Sequence, residues 1–475
     1  MNYSPLLTDL YQLTMLAGYF DEEMADKEAV FDLYFRINPF EGAYAVFAGL
    51  APVLDYLEQL RFSEEELSFL TGLKMFKPRF IDFLRGFRFH GKVSAPLEGT
   101  LVCANEPLLT VEGTLAEVQF VETALLNSIN FQTLTATKAA RICHAADGAE
   151  VVEFGLRRAQ GPDGGLSVSR AATIGGCKGT SNVLAGKMFG VPLRGTQAHS
   201  WIQAFPDELN SFRAYADTFP ENTILLVDTY DTLRSGIPNA ITVARELCEK
   251  GHELRGVRID SGDLAYLSRE ARRMLDEAGF NRVKILASND MDEYVIESIR
   301  SEGGLVDIYG VGTRLATCAG DGGGALGGVY KLVEIDGVPK LKVTGDIAKS
   351  TLPGKKNVLR FVDQSGAFIQ DVVCLEGEMI QAGDTVYDPY NPLLHTTLPP
   401  EARMTELREV VMAAGKRSTP TETLDSMAER CKSELSRLPG GCLRLINPHR
   451  YKVSISERLK CLRGALIDEL GKRME

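Results

Sequence analysis

The sequence predicts an α/β protein whose middle section is built from successive βα units. Three observations lead there. From Glu150 onward, short β-branched runs alternate with longer amphipathic segments, the pattern of strands joined by crossover helices. The runs EVVEF, GVPLRGT, TILLVDT, LRGVRID, VKILASN and VDIYGVGT recur at intervals that fit one strand, one helix and two turns. The segments between them, such as DLAYLSREARRMLDEAG, place apolar residues at helical spacing and stop at glycine. Six right-handed units in a row form either a barrel or an open parallel sheet. In both, ligands collect at the carboxyl ends of the strands, and each run here ends in polar residues.

Ahead of this alternation, PLLTDLYQLTMLAGYF over 5–20 reads as helix and VFDLYFR over 30–36 as a strand with one buried face. From Phe87 to Gly113, short β-like runs are separated by Gly and Pro, and helix takes over from Thr114 to Ala146. After about Asp346 the regular alternation stops, and strand-like, loop and helical pieces follow to the end. Three regions result: an N-terminal α/β domain over 1–134, the βα units over 135–345, and a C-terminal region over 346–475 that completes the first domain or is appended to it. A chain of 475 residues exceeds what one core usually serves.

Composition excludes several classes. A net charge of -12 disfavours nucleic acid and anionic membrane, which are met by clustered Lys and Arg. The opening MNYSPLLTDLYQ lacks a basic, then apolar leader, and no run of about 18 uncharged apolar residues occurs. A cytoplasmic enzyme is expected. The nine cysteines are scattered singly with no C-x-x-C pair, so they read as reduced, small buried hydrophobes, Cys177 and Cys318 among them. The histidines lack H-x-x-x-H spacing, so any metal is expected to be a hard ion held by oxygen.

The strand ends carry the chemistry. EFGLRRAQGPDGG sets Glu153, Arg157, Arg158 and Gln160 before a glycine-rich turn; paired arginines there suit an anion, or form surface charge and an ion pair with Glu153. RGTQAHSW places Thr196, His199 and Ser200 just beyond an apolar run. An imidazole there serves acid-base work or transient phosphorylation, or is a hydrogen-bonded structural residue. LVDTYDT and VRIDSGD supply Asp228, Asp231, Arg258, Asp260 and Asp263. These carboxylates either hold a magnesium ion carrying a diphosphate or cap the following helices. YGVGTRLAT brings Gly310, Gly312 and Thr313 to the last strand end, where backbone N–H groups can approach phosphate. Spacing leads to an enzyme acting on a phosphorylated, anionic substrate.

The segments TDLYQLTM, EFGLRRAQGPDGG, GTQAHSW, VDTYDT, GVRIDSGDL, ASNDMDE, GVGTRLAT, GGVYKL and TLPGKK, in this order from Pro5 to about Arg360, together resemble the nicotinate phosphoribosyltransferases. The resemblance implies an irregular TIM-like α/β barrel packed on an N-terminal α/β domain, in a homodimer with active sites at the interface. It implies transfer of phosphoribose from 5-phosphoribosyl 1-diphosphate to nicotinate, with magnesium as cofactor and ATP as co-substrate, in NAD salvage. By matching motif, Tyr11, Thr196 and Arg258 would contact nicotinate. Thr313, with Gly312 and Arg157, would hold phosphoribosyl diphosphate. His199 would be phosphorylated by ATP, and Asp228 and Asp260 would meet magnesium or ribose. In KVTGDIAKSTLPGKKN only the Pro-Gly-basic end keeps the family pattern, leaving the roles of Lys349, Lys355 and Lys356 open. Competing readings are a nicotinamide-using relative and a catalytically silent nucleotide binder. An aldolase is disfavoured because Lys284 starts its strand instead of ending it.

Overall fold

In the computed structural model of the chain, residues 3–320, 324–342, 350–391 and 393–474 are described. Lys349 lies outside them. The chain divides into two compact units, one formed by Thr135–Gly320 and the other by Met1–Leu134 with Asp321–Glu475.

In the first of these units, strands Glu150–Glu153, Ile224–Leu226, Gly256–Ile259, Lys284–Asn289 and Ile308–Val311 form one parallel sheet. Its first strand pairs with its last, Tyr309 opposite Val151 and Val311 opposite Glu153. On the first strand's other side, single parallel bridges run from Glu153 to Thr180 and from Thr180 to Leu193. Followed around the array, the chain order is cyclic, which is the order of a barrel. Among the described residues no pairing links Leu193 to Ile224–Leu226, so the barrel keeps one unzipped seam. The run GVPLRGT, expected as a full strand, supplies only the Leu193 bridge. Pro192 has no N–H to give a ladder, and Gly190 is left-handed at φ 73°.

The helices after the strands start where short acidic side chains cap them. Asp263 accepts from the Tyr266 N–H at the head of Leu264–Glu277, and Asp292 caps Glu293–Ser301. Asp231 accepts from the N–H groups of Leu233 and Arg234. Asp231 and Asp263 are therefore caps, whereas Asp228 and Asp260 are not.

The other unit holds two large sheets. One has seven strands, with Glu28–Tyr34 between Val329–Ile335 and Leu109–Thr114, all antiparallel. The expectation of one buried face for this strand is corrected: Ala29 to Tyr34 are all buried. Asp32 is tolerated there because the Lys356 ammonium lies 2.8 Å from one carboxylate oxygen and the Thr110 hydroxyl donates to the other at 2.6 Å. Val329–Ile335 also corrects the expected boundary at 345, since residues past 320 already belong to this sheet.

The second sheet orders His395–Thr397, Thr385–Tyr387, Val453–Ile455, Phe368–Leu375, Lys356–Val362 and Arg403–Glu406. At its centre Asp371 accepts from Arg360 at 2.9 and 2.7 Å and from the Tyr451 hydroxyl at 2.9 Å. The expected helix over 5–20 begins only at Leu10, with Asp9 as its N-cap. That over 114–146 breaks at Val121 into Leu115–Phe120 and Glu122–Ala146. Seven cysteines are buried or half-buried, but Cys248 and Cys461 are exposed, against expectation.

Candidate active site

Arg258 is the centre of the polar cluster at the carboxyl end of the barrel strands. Its side chain is 14% exposed. Nε donates to the Ser288 hydroxyl at 2.8 Å, Nη2 to Asp260 Oδ1 at 2.7 Å and Nη1 to the Thr196 hydroxyl at 3.1 Å. The Gln197 carbonyl stands 3.5 Å from Nη1, and the Phe154 ring lies under the guanidinium, 5.8 Å from Cζ to centroid. The ring fits because residue 310 is glycine: a Cβ there would stand 2.7 Å from the Phe154 ring and 3.3 Å from Ser288 Cβ.

From Asp260 the network continues to the histidine. The Asp260 N–H and the Ser261 hydroxyl donate to Asp228 Oδ2 at 2.9 and 2.6 Å. Asp228 Oδ1 lies 3.1 Å from His199 Nε2. The carboxylate of Asp228 is 1% exposed and the imidazole 40%. A carboxylate has no proton to give, so Asp228 accepts from Nε2–H; in the neutral tautomer that makes this bond, Nδ1 is the nitrogen without a proton.

At the last strand end, Gly312 leads into the short helix Thr313–Ala316. Thr313 is half-buried, and among the described residues its hydroxyl has no hydrogen-bond partner. Arg157 and Arg158 are exposed. Neither pairs with Glu153, which instead accepts from Ser169 at 3.0 Å, Thr180 at 2.5 Å and the Gly155 N–H. Glu153 is thus structural, and among the described residues neither arginine side chain has a hydrogen-bond or ion-pair partner.

Profiles of known families give this geometry a context. The nicotinate phosphoribosyltransferase (NAPRTase) N-terminal domain matches residues 6–130 and the C-terminal domain of the same enzyme residues 355–463. A curated nicotinate phosphoribosyltransferase of Bacillus subtilis is 41% identical over 477 residues, covering 99% of this chain and 96% of that protein. The chain belongs to the nicotinate phosphoribosyltransferase family. The human nicotinate phosphoribosyltransferase is 36% identical over 522 residues, covering 97% of this chain and 96% of its own. The crystal structure of human nicotinic acid phosphoribosyltransferase superposes with a TM-score of 0.86 at 34% identity, over 97% of this chain and 99% of that one. That superposition agrees with an irregular α/β barrel accompanied by an N-terminal α/β domain.

In this nicotinate phosphoribosyltransferase chain, the remaining predicted residues fall outside the barrel cluster. Tyr11 belongs to the other unit, 47% exposed on the helix Leu10–Asp21, beside a recess lined by Asp9, Thr123 and Asn130. Burial, with Glu122 second, raises its hydroxyl pKa. Lys355 pairs with Glu112 at 3.0 Å and Lys356 with Asp32, both within the sheets of that unit. Lys284 is exposed at the start of its strand, paired with Asp307 at 3.1 Å. Sequence reasoning missed Ser288, Phe154 and the main chain of Gln197. Ser288 is the last residue but one of VKILASN, next to the strand terminus at Asn289, a signal that was present; nothing in the sequence marks Phe154 as a platform.

Among the described residues no group of three or more His, Cys, Asp or Glu side chains could hold a metal ion. A magnesium ion that arrives on diphosphate needs only one or two protein carboxylates. Asp260 Oδ2, which accepts no hydrogen bond among the described residues, fits that need, and Asp228 Oδ1, with the single contact to His199, is the other nearby carboxylate oxygen.

Proposed function

We propose that the chain transfers the phosphoribosyl group of 5-phosphoribosyl 1-diphosphate to the ring nitrogen of nicotinate, forming nicotinate mononucleotide and diphosphate for NAD salvage. ATP phosphorylates His199 to drive it. The observation that carries this reading is the continuous chain of polar contacts from Arg258 through Asp260 and Asp228 to His199.

Arg258 meets the nicotinate carboxylate with Thr196 beside it, and Tyr11 supplies an aromatic face and a hydroxyl to the flat ring. Thr313, Gly312 and Arg157 hold phosphoribosyl diphosphate, its negative charge meeting backbone N–H groups and a free guanidinium. Nδ1 of His199 attacks the γ-phosphorus of ATP; the bond to the bridging oxygen breaks and ADP leaves. Asp228 keeps the Nε2 proton and stabilises the phosphorylated ring, which later yields its phosphoryl group to water. Magnesium, carried by the diphosphate and steadied by Asp260, would neutralise charge gathering on the leaving group. The active form is a homodimer, and the enzyme is cytoplasmic. Among the described residues no helix is long and apolar enough to cross a membrane.

The test is direct. Purified protein given phosphoribosyl diphosphate and ATP should consume nicotinate far faster than nicotinamide. Equal or reversed preference would remove the reading, and tight binding without turnover would make the chain a silent binder.

A further inference from the structure

Arg258 offers two edges to which a carboxylate could bind in two-pronged fashion: the side edge formed by Nε and Nη2, and the end edge formed by Nη1 and Nη2. The structure holds one of them shut. Nε–H can only donate, so the Ser288 hydroxyl accepts it. The hydroxyl's single proton must then go to Asp260 Oδ1, its short-range partner. Nη2 donates to that same oxygen. The three groups close a ring along the side edge, in which every proton has a determined direction.

Ser288 is well suited to this task and to little else. It is 3% exposed, and it stands in register with Gly310, the glycine that admits the Phe154 ring. A buried hydroxyl so placed has no access to solvent and no other hydrogen-bonding partner among the described residues.

We propose that Ser288 is a positioning residue for substrate selection: it locks the roll of the Arg258 guanidinium, closes its side edge, and leaves the end edge beside Thr196 as the grip at which a pyridine carboxylate replaces the long Gln197 contact of Nη1. The idea rests on the reading of Arg258 as the carboxylate ligand. Without the hydroxyl, Nε–H is free and the guanidinium can turn its side edge outward, so the grip loses its preset orientation. Ser288 touches no reacting atom, so the chemical step itself does not need it.

Steady-state kinetics of Ser288→Ala, Ser288→Cys, Ser288→Thr and Arg258→Ala decide the matter, with thermal melts as a folding control. A hydrogen bond to a charged group sets the expected size: Ser288→Ala and the volume-conserving Ser288→Cys should raise the KM for nicotinate roughly tenfold. The KM for phosphoribosyl diphosphate should stay within about twofold and kcat within about threefold, while Ser288→Thr, which keeps a hydroxyl, should restore nicotinate binding. Two results would overturn the proposal: an unchanged nicotinate KM in the cysteine variant, or a rise of both substrates' KM by one factor. If Arg258→Ala leaves the nicotinate KM untouched, the carboxylate reading falls and the Ser288 proposal with it. If Arg258→Ala raises that KM and Ser288→Cys does not, only the Ser288 proposal falls.

Discussion

Replacing Asp228 by asparagine separates the proposed phosphorylation of His199 from the proposed binding of nicotinate at Arg258. Asp228 makes three contacts: one with His199 Nε2 at 3.1 Å, and two at Oδ2 from the Asp260 N–H and the Ser261 hydroxyl at 2.9 and 2.6 Å. Asparagine can keep a carbonyl on only one side. If the carbonyl faced His199, its NH2 would meet the Asp260 N–H head-on, sacrificing about 2–3 kcal/mol of bonding and adding a donor clash. The other orientation gives up only the histidine contact, so it prevails. Its NH2 then donates to Nε2, which must lose its proton, and Nδ1 takes that proton instead. The nucleophilic nitrogen is thereby blocked. The same carboxylate-to-amide change beside a catalytic histidine lowers rates by about 10⁴, so a loss of about 10³ or more in phosphorylation, equal to about 4 kcal/mol in barrier, is expected. Incubation with γ-labelled ATP, followed by acid and base treatment, reads it: the acid-labile, base-stable label should all but vanish. Nicotinate KM should move less than about threefold, because the contacts of Arg258 are kept. Labelling at the wild-type rate would refute the tautomer argument.

Three further outcomes follow from the same geometry. His199→Ala should remove the acid-labile label altogether; label that survives would place the phosphoryl group elsewhere. Gly310→Ala should cost about 1–3 kcal/mol of stability in urea melts and raise the nicotinate KM, because its Cβ would stand 2.7 Å from the Phe154 ring beneath Arg258. Unchanged melts would show that the ring has room to move. Glu106→Gln should flatten the dependence of stability on pH. Burial, with the charge of Asp371 second, holds the Glu106 carboxyl well above the ordinary carboxylate range, its proton shared with Asp371. The folded chain therefore keeps a proton that the unfolded chain releases above about pH 4.3. Stability from this group is complete below that pH and is lost as pH rises toward the folded-state value, at up to about 1.4 kcal/mol per pH unit. Glutamine keeps the acceptor for the Cys103 N–H, now at 2.9 Å, and donates permanently to Asp371. Parallel stability curves for the two proteins would count against a protonated Glu106.

The βα run was legible because three of its strands are followed by a short capping aspartate, Asp231, Asp263 or Asp292, and its helices carry apolar faces, both local properties. Asp263 and the glycine after Glu277 are readable at a glance. GVPLRGT was misread because its alternation is that of a strand, while the segment makes only the Leu193–Thr180 bridge, Pro192 having no N–H to extend it. VFDLYFR was misread for a different reason: the partner that lets Asp32 be buried, Lys356, lies more than three hundred residues away. The boundary at 345 failed likewise, since the pairing of Val329–Ile335 with Glu28–Tyr34 is non-local. At the site, residue types at strand ends pointed to Arg258, His199, Asp228 and Asp260 in advance. Which of them touch was not readable, because contacts between strand ends depend on barrel order. Asp231 and Asp263, equal candidates by type, turned out to be caps.

The unzipped seam divides the labour within the main chain. In a closed barrel, the carbonyls of residues 194–198 would each be committed to a neighbouring strand. Here they are not: the Gln197 carbonyl faces Arg258, and the segment leads straight into the helix that begins at His199. Beyond Arg194, whose N–H still bonds the Thr180 carbonyl at 2.9 Å, this stretch belongs to no sheet ladder among the described residues, while the paired strands hold Arg258 in place. Paired strand and unpaired segment sit on opposite sides of one missing row of hydrogen bonds.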